Sequence, residues 1–237
     1  MSIVLKNNKK TEDIRLDRVV QFDEKSRLYS IAELRKTSKF RSYTWRCNEW
    51  FDQGKEGACV GFALGHELAA RPAEVNGLTY RFLVENVYWE AQKIDPWQGG
   101  SYPKASPVYG GTSVLAGVKT VKKLGFIDGY RWAFNIDDLL YGLGHNGPAV
   151  LGLPWYEGMS NPNRKGFIKA SGGIVGGHAV LARAVNMKKG YVTIRNSWGK
   201  TWGKRGDCYI KFDELEALLK RGGECCFLMK RKTKRKK

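Results

Sequence analysis

The chain has 237 residues, a formal net charge of +18, and 42% hydrophobic and 12% aromatic content. This is the make-up of a globular protein long enough for one sizeable domain or two apposed lobes, and it excludes a disordered chain. No apolar stretch reaches the length of a membrane-spanning helix, and Met1–Lys6 is too short in its apolar part for a secretory signal. The five cysteines, Cys47, Cys59, Cys208, Cys225 and Cys226, form no CxxC pair and no regular framework. They argue against a secreted disulfide scaffold and lack metal-ligand spacing, so a cytoplasmic protein with no metal and no cofactor is expected.

Taken in chain order, residues 1–42 are polar and mixed in charge, an extension expected to wrap the domain or to be partly disordered, with weak helical patterning around Ser30–Leu34. Aromatic density rises from Tyr43, where the folded domain, residues 43–229, is expected to begin. Its first part, about 43–135, reads as helical. One helix is predicted from about Ala58 to Ala70, stopped by Arg71-Pro72, since proline disfavours helix at the residue before it. A second is predicted over Tyr80–Lys93, with Leu83, Val84, Val87, Tyr88 and Ala91 at helical spacing. A third starts from a Thr112 or Ser113 cap and ends near Gly125. Asp95–Gly111 reads as a surface loop.

The second part, about 136–229, reads as strands. They are Ala149–Leu153, Phe167–Lys169, His178–Val185, Tyr191–Arg195, Cys208–Phe212 and Cys225–Met229, with one short helix at Asp213–Leu219. His145 falls in a turn before the first of them. Cys225 and Cys226 are expected as two buried free thiols acting as small apolar groups. A helical lobe followed by a strand-rich lobe implies an α+β architecture with a cleft between the two. The last segment, 230–237, carries seven positive charges. Such a run suits weak contact with nucleic acid or an anionic surface, and equally a solvated tail.

The chemistry concentrates on Cys59, which opens an apolar helix and follows Gln53 by six residues. Helix N-termini favour an ionised sulfur and offer unpaired N–H groups to an oxyanion. A cysteine nucleophile needs an imidazole, and the chain has three histidines. His66 lies about 10 Å further along the same helix, beyond hydrogen-bond reach. Nothing ties His145 to the cysteine, which leaves His178. A hairpin centred near Met187 sets His178 opposite Asn196, whose side-chain oxygen then accepts from one ring nitrogen and leaves the other for the thiol. Gln53 can donate its amide to an oxyanion beside the Cys59 N–H, and Trp198 can cover the His–Asn bond.

Gln53-Gly54, Gly57-Ala58-Cys59, Gly110-Gly111, Gly177-His178-Ala179-Val180 and Asn196-Ser197-Trp198-Gly199 followed by Trp202-Gly203 resemble the motifs of the papain family of cysteine peptidases. The resemblance runs from about Tyr43 to Met229. It implies a two-lobe fold, a helical lobe and an antiparallel β-barrel-like lobe with the active-site cleft between them. It further implies Cys59 as nucleophile, His178 as base and acid, Asn196 as orienter and Gln53 as oxyanion donor. By position, Gly110 and Gly111 resemble a glycine pair that binds substrate backbone, and Trp198 stands at the substrate-facing wall. Glu56 stands where the family carries a cysteine, which fits a reducing compartment, and the extension is shorter than an inhibitory prodomain, so activity without zymogen cleavage is expected.

The function expected is therefore that of a monomeric, intracellular cysteine endopeptidase that hydrolyses peptide or protein substrates through a thioester acyl-enzyme. The alternatives are a catalytically silent binding protein on the same scaffold, or an acyl transferase or amidase of non-peptide bonds, tethered through the basic tail.

Overall fold

A computed structural model describes residues 3–232. The chain opens with a small antiparallel pair, β1 (Ile3–Val4) and β2 (Lys10–Thr11), and a 3₁₀ turn at Ile31–Leu34 capped by the Ser30 hydroxyl. The short strand β3 (Tyr43–Thr44) leads to α1 (Cys59–Ala69), whose first residue is Cys59. A single helical run follows, built from α2 (Tyr80–Phe82), a π-helical stretch Leu83–Tyr88 and α3 (Trp89–Ile94), and it starts where the Thr79 hydroxyl accepts from the Phe82 N–H. The helix α4 (Val114–Lys123) starts at Ser113, whose hydroxyl accepts from the Ala116 N–H, one of the two caps expected. Then come β4 (Gly129–Ala133), α5 (Ile136–His145), β5 (Ala149–Tyr156), β6 (Ile174–Asn186), β7 (Tyr191–Arg195), β8 (Asp207–Lys211), α6 (Phe212–Lys220) and β9 (Glu224–Met229).

The strands form one antiparallel sheet in the order β4-β9-β5-β6-β7-β8, with β3 pairing on β6. This sheet is open, so the expected barrel-like lobe is corrected: β4 and β8 stay at its edges, and no pairing among the described residues joins them. Central strands are buried on both faces, and alternation decides which core each residue enters. On β5, β6 and β9, Val150, Ala179, Cys226 and Leu228 pack with α1, the π-helical stretch and α4. Leu151, Val180, Cys225 and Phe227 face the other way, toward Trp155, Ile194, Leu215 and Leu218. The helix α1 lies close against its neighbours because glycine permits it. A Cβ on Gly61 would come within 2.7 Å of the Leu83 carbonyl, and one on Gly65 within 2.6 Å of the Leu83 side chain.

Two sequence expectations fail for local reasons. Phe167–Lys169 is no strand, since only an isolated bridge from Phe167 to Tyr209 forms there. His145 is the last residue of α5 rather than part of a turn. That helix is capped by Asn135, whose side chain accepts from the Asp138 N–H at 2.8 Å and donates to the Asp138 carboxylate at 2.9 Å. Its internal Gly142 is a packing residue, because a Cβ there would lie 2.3 Å from the Phe227 ring.

Candidate active site

The helix α1 sets Cys59 at its N-terminus, and β6 passes close enough for the Ala179 N–H to donate to Sγ at 3.4 Å. On that strand His178 reaches Asn196, with Nε2 to Oδ1 at 2.8 Å. The expected contact forms, but by a different register. Leu181 stands opposite Arg195, and a bulge between Ala182 and Ala184 shifts the ladder nearer the turn. Continued in line, that register sets position 198, not 196, beside His178. Asn196 reaches the ring because the chain leaves β7 after Arg195 and turns, its N–H donating to the Gly206 carbonyl at 2.9 Å. Trp198 does lie beside the histidine, with ring centroids 4.9 Å apart, and Trp155 meets it edge-on at 4.7 Å. The His–Asn bond is thus held among indole rings, where a hydrogen bond is worth more than in water.

Gln53 is fully buried beside this group. Its Oε1 accepts from the Ser197 hydroxyl at 2.6 Å, which fixes the amide, and Nε2 donates to the Glu56 carbonyl at 2.8 Å. The second Nε2 proton points at the Arg15 carbonyl, 3.5 Å away. The two discounted histidines take structural posts. The ring of His66 accepts from the Phe51 N–H at 3.0 Å, with burial holding it neutral, and His145 stacks on Tyr141.

Arg15 belongs to the extension, which does more than wrap the domain: it lies in the cleft. The Arg18 N–H donates to the Gly177 carbonyl at 3.0 Å and the Val19 N–H to the Thr112 carbonyl at 2.9 Å. Gly110 exchanges backbone bonds of 3.0 Å with Val4 and Lys6. Gly111, at φ +89°, packs so tightly that a Cβ would lie 2.3 Å from the Asp17 carbonyl. The glycine pair therefore contacts the chain's own extension, while Thr112 and Gly177 carry the pairing with residues 17–19.

At the centre sits Asp17, which sequence inspection missed. Its carboxylate accepts from the Cys59 thiol at 3.1 Å and from the Tyr88 hydroxyl at 2.9 Å. Tyr88 closes the π-helical stretch, a helical irregularity often found at functional sites. Its oxygen accepts from the Gly111 N–H at 2.9 Å and from Gln92 Nε2 at 3.0 Å, so its own proton is left for Asp17. A Cβ on Gly57 would fall 2.8 Å from the same carboxylate, so only glycine admits it. The signal available in the sequence was Leu16-Asp17-Arg18-Val19, an apolar bracket inside a polar extension, now buried throughout.

The electrostatics follow from this cover. Burial first, and the Asp17 charge second, push the Cys59 thiol well above the usual range. Burial lowers His178 to about 4, against the opposing pull of the Asn196 hydrogen bond. Burial raises Asp17 to about 7, opposed by the donors from Cys59 and Tyr88. Covered, the cysteine and histidine are a neutral pair, and His178 Nδ1 has no hydrogen-bond partner among the described residues. Under this cover Cys59 is fully buried.

All five cysteines are free thiols. Among the described residues no group of three His, Cys, Asp or Glu side chains is placed to hold a metal ion, and no helix is long and apolar enough to cross a membrane. The basic tail is in part tied down. Arg231 pairs with buried Glu67 at 2.5 Å and donates to the Pro148 carbonyl at 3.1 Å, while residues 233–237 lie outside the described residues.

No family model matches the chain. A cathepsin B-like cysteine proteinase of Schistosoma japonicum is 31% identical over 85 residues, which are 31% of this chain and a quarter (25%) of that protein's length. Among solved structures, xylellain, a cysteine protease from Xylella fastidiosa, superposes with a TM-score of 0.66 at 16% identity, covering 96% of this chain and 99% of that one. The digestive procathepsin L2 of Tenebrio molitor gives 0.60 at 15% identity over 97% and 84%. A cysteine protease of Carica candamarcensis, solved in complex with E-64, gives 0.58 at 18% over 81% and 99%. The chain has the papain-like fold of these cysteine proteases. In this chain an aspartate of the N-terminal extension touches the cysteine at the head of α1.

Proposed function

We propose that the chain is a cysteine-type endopeptidase, hydrolysing peptide bonds through Cys59, His178, Asn196 and Gln53, with residues 13–19 holding the resting site closed. The observation that carries this reading is the placement of a helix-terminal thiol beside a strand whose histidine is already oriented by an asparagine at 2.8 Å. Once the extension leaves, water returns to the cleft and the burial that keeps the pair neutral is relieved. His178 Nδ1 then takes the thiol proton, and the thiolate attacks the scissile carbonyl carbon.

The oxyanion so formed is held by the Cys59 N–H and by the Gln53 Nε2 proton that now faces the Arg15 carbonyl. In the closed state a backbone carbonyl of the extension thus stands at the donor meant for a substrate carbonyl. Collapse expels the amine, which takes the proton from His178 and leaves a thioester. Water attacks that thioester with His178 as base, returning the acid product and the free thiol. Asn196 holds the ring in the tautomer that leaves Nδ1 facing the thiol throughout. The five free thiols support a reducing, intracellular setting.

The test is peptide-library cleavage by Asp17→Ala protein, with and without Cys59→Ala. Cleavage that falls by roughly 10⁴-fold or more on losing the thiol supports the reading. Equal profiles overturn it. The complete closure of the cleft favours, as a second reading, a catalytically silent binding protein. That reading predicts no turnover even after Asp17→Ala frees Cys59 for alkylation.

A further inference from the structure

A second site lies between β3, the segment before α1 and the turn before β8. Arg46, Arg183, Arg195, Lys204, Arg205 and Asp207 line a cavity of about 410 Å³. Five of these side chains are cationic and one is a carboxylate. Asp207 is shared between Arg183 at 2.6 Å and Arg195 at 2.5 Å, and Arg46 is matched from outside the cavity by Glu74 at 2.5 Å. Three positive charges are left over in the lining.

Arg195 makes this a built site rather than a basic surface. Its side chain is 2% exposed, yet only Nε and Nη1 are used, on Asp207 and on the Glu49 and Cys47 carbonyls. Nη2 makes no hydrogen bond within the described residues and belongs to a side chain that lines the cavity. Lys204 and Arg205 stand at the rim on a tight turn in which Arg205 (φ +57°) and Gly206 (φ +81°) are left-handed, and neither cation has a carboxylate partner among the described residues. The Trp50 ring, with Arg195 4.8 Å and Lys200 4.4 Å from its centroid, fixes the remaining wall, its N–H donating to the Arg205 carbonyl at 2.6 Å.

We infer that this cavity binds a phosphate-class oxyanion, with Arg195, Lys204 and Arg205 as its donors. Donors converging from a buried floor and from the rim suit a tetrahedral anion better than a planar carboxylate. A charge near −2 also matches the excess better than −1 does. The positive field of the whole chain raises the local concentration of such anions. The site is independent of the peptidase chemistry, although the turn that carries its rim also accepts the Asn196 N–H through the Gly206 carbonyl.

Calorimetric titration of the full chain with inorganic phosphate, pyrophosphate and malonate, at constant ionic strength set with chloride, tests the assignment. Saturable binding of phosphate or pyrophosphate, roughly tenfold tighter than malonate, is the expected result. The Lys204→Gln/Arg205→Asn double variant, in which Asn suits the left-handed turn, lowers phosphate affinity by about tenfold. It leaves the ligand-free melting temperature in place. Lys36→Gln/Lys39→Gln, which removes equal charge elsewhere, leaves the affinity unchanged. Absence of saturation, malonate binding as tight as phosphate, or equal loss in both double variants overturns the assignment.

Discussion

Cys59 and Cys226 belong to the same hydrophobic cluster, both fully buried and both with thiols pushed well up by burial. What covers them differs. Cys226 sits inside the sheet, opposite Trp132 on one side and Val150 on the other, and nothing short of unfolding exposes it. Cys59 is covered on its cleft side by a segment from the start of the chain, joined to the cleft by backbone bonds, the Asp17 carboxylate and the buried ion pairs Lys6–Asp95 and Arg18–Glu224. Burial alone therefore does not separate the proposed nucleophile from core filler. The separation lies in whether the cover can leave without the core.

The largest expected contrast comes from removing the carboxylate. Asp17→Ala should raise iodoacetamide labelling of Cys59 by about 100-fold, as two side-chain hydrogen bonds to a charged group are lost, while labelling of Cys226 stays flat. Peptide mapping of the alkylated protein reads both sites at once, and parallel increases would erase the contrast. Tyr88→Phe removes one donor and should raise Cys59 labelling about tenfold.

The pH dependence has a defined sign. Asp17 stands near 7 when covered and returns to the ordinary carboxylate range once released, so the proton is bound more tightly in the closed form. Its contribution to closure is complete below the ordinary carboxylate range and is lost as pH rises through about 7. The groups facing it are the Cys59 thiol and the Tyr88 hydroxyl. Cys59 labelling should then climb between pH 5 and 8 more steeply in the wild type than in Asp17→Asn, where this titration is absent. Identical slopes would remove Asp17 from the closure. The smallest effect on Cys59 labelling comes from changing the other thiol. Cys226→Ser places a hydroxyl in the sheet core and should cost about 1–3 kcal/mol by denaturant unfolding without altering Cys59 labelling.

The candidate site was legible where one residue type at one spacing carries its own chemistry. Cys59, His178, Asn196 and Gln53 could be named because few alternatives existed, and a three-histidine inventory left one ring in reach. The hairpin register was not legible, since the turn is centred between Lys188 and Lys189 rather than near Met187, with Asn186 opposite Tyr191, and the bulge between Ala182 and Ala184 then shifts the ladder by a residue. The helix α5 went unassigned, and its Gly142 makes room for Phe227, a contact far along the chain that no local pattern reports. The lodging of residues 13–19 in the cleft depends on partners at Thr112, Gly177 and Tyr88, far along the chain, and no local pattern reports such pairings.

The Arg231–Glu67 pair bears on how the basic C-terminal run can be dissected. Glu67 is in the last turn of the helix that Cys59 begins, and its other carboxylate oxygen is buried without a hydrogen-bond partner among the described residues. A chain cut after Met229 would strand that charge in the interior at about 3–5 kcal/mol. Any loss of binding or turnover in such a truncation would report on a loosened α1 as much as on missing tail charges. Neutralising the lysines and arginine of 233–237 while keeping Arg231 separates the two.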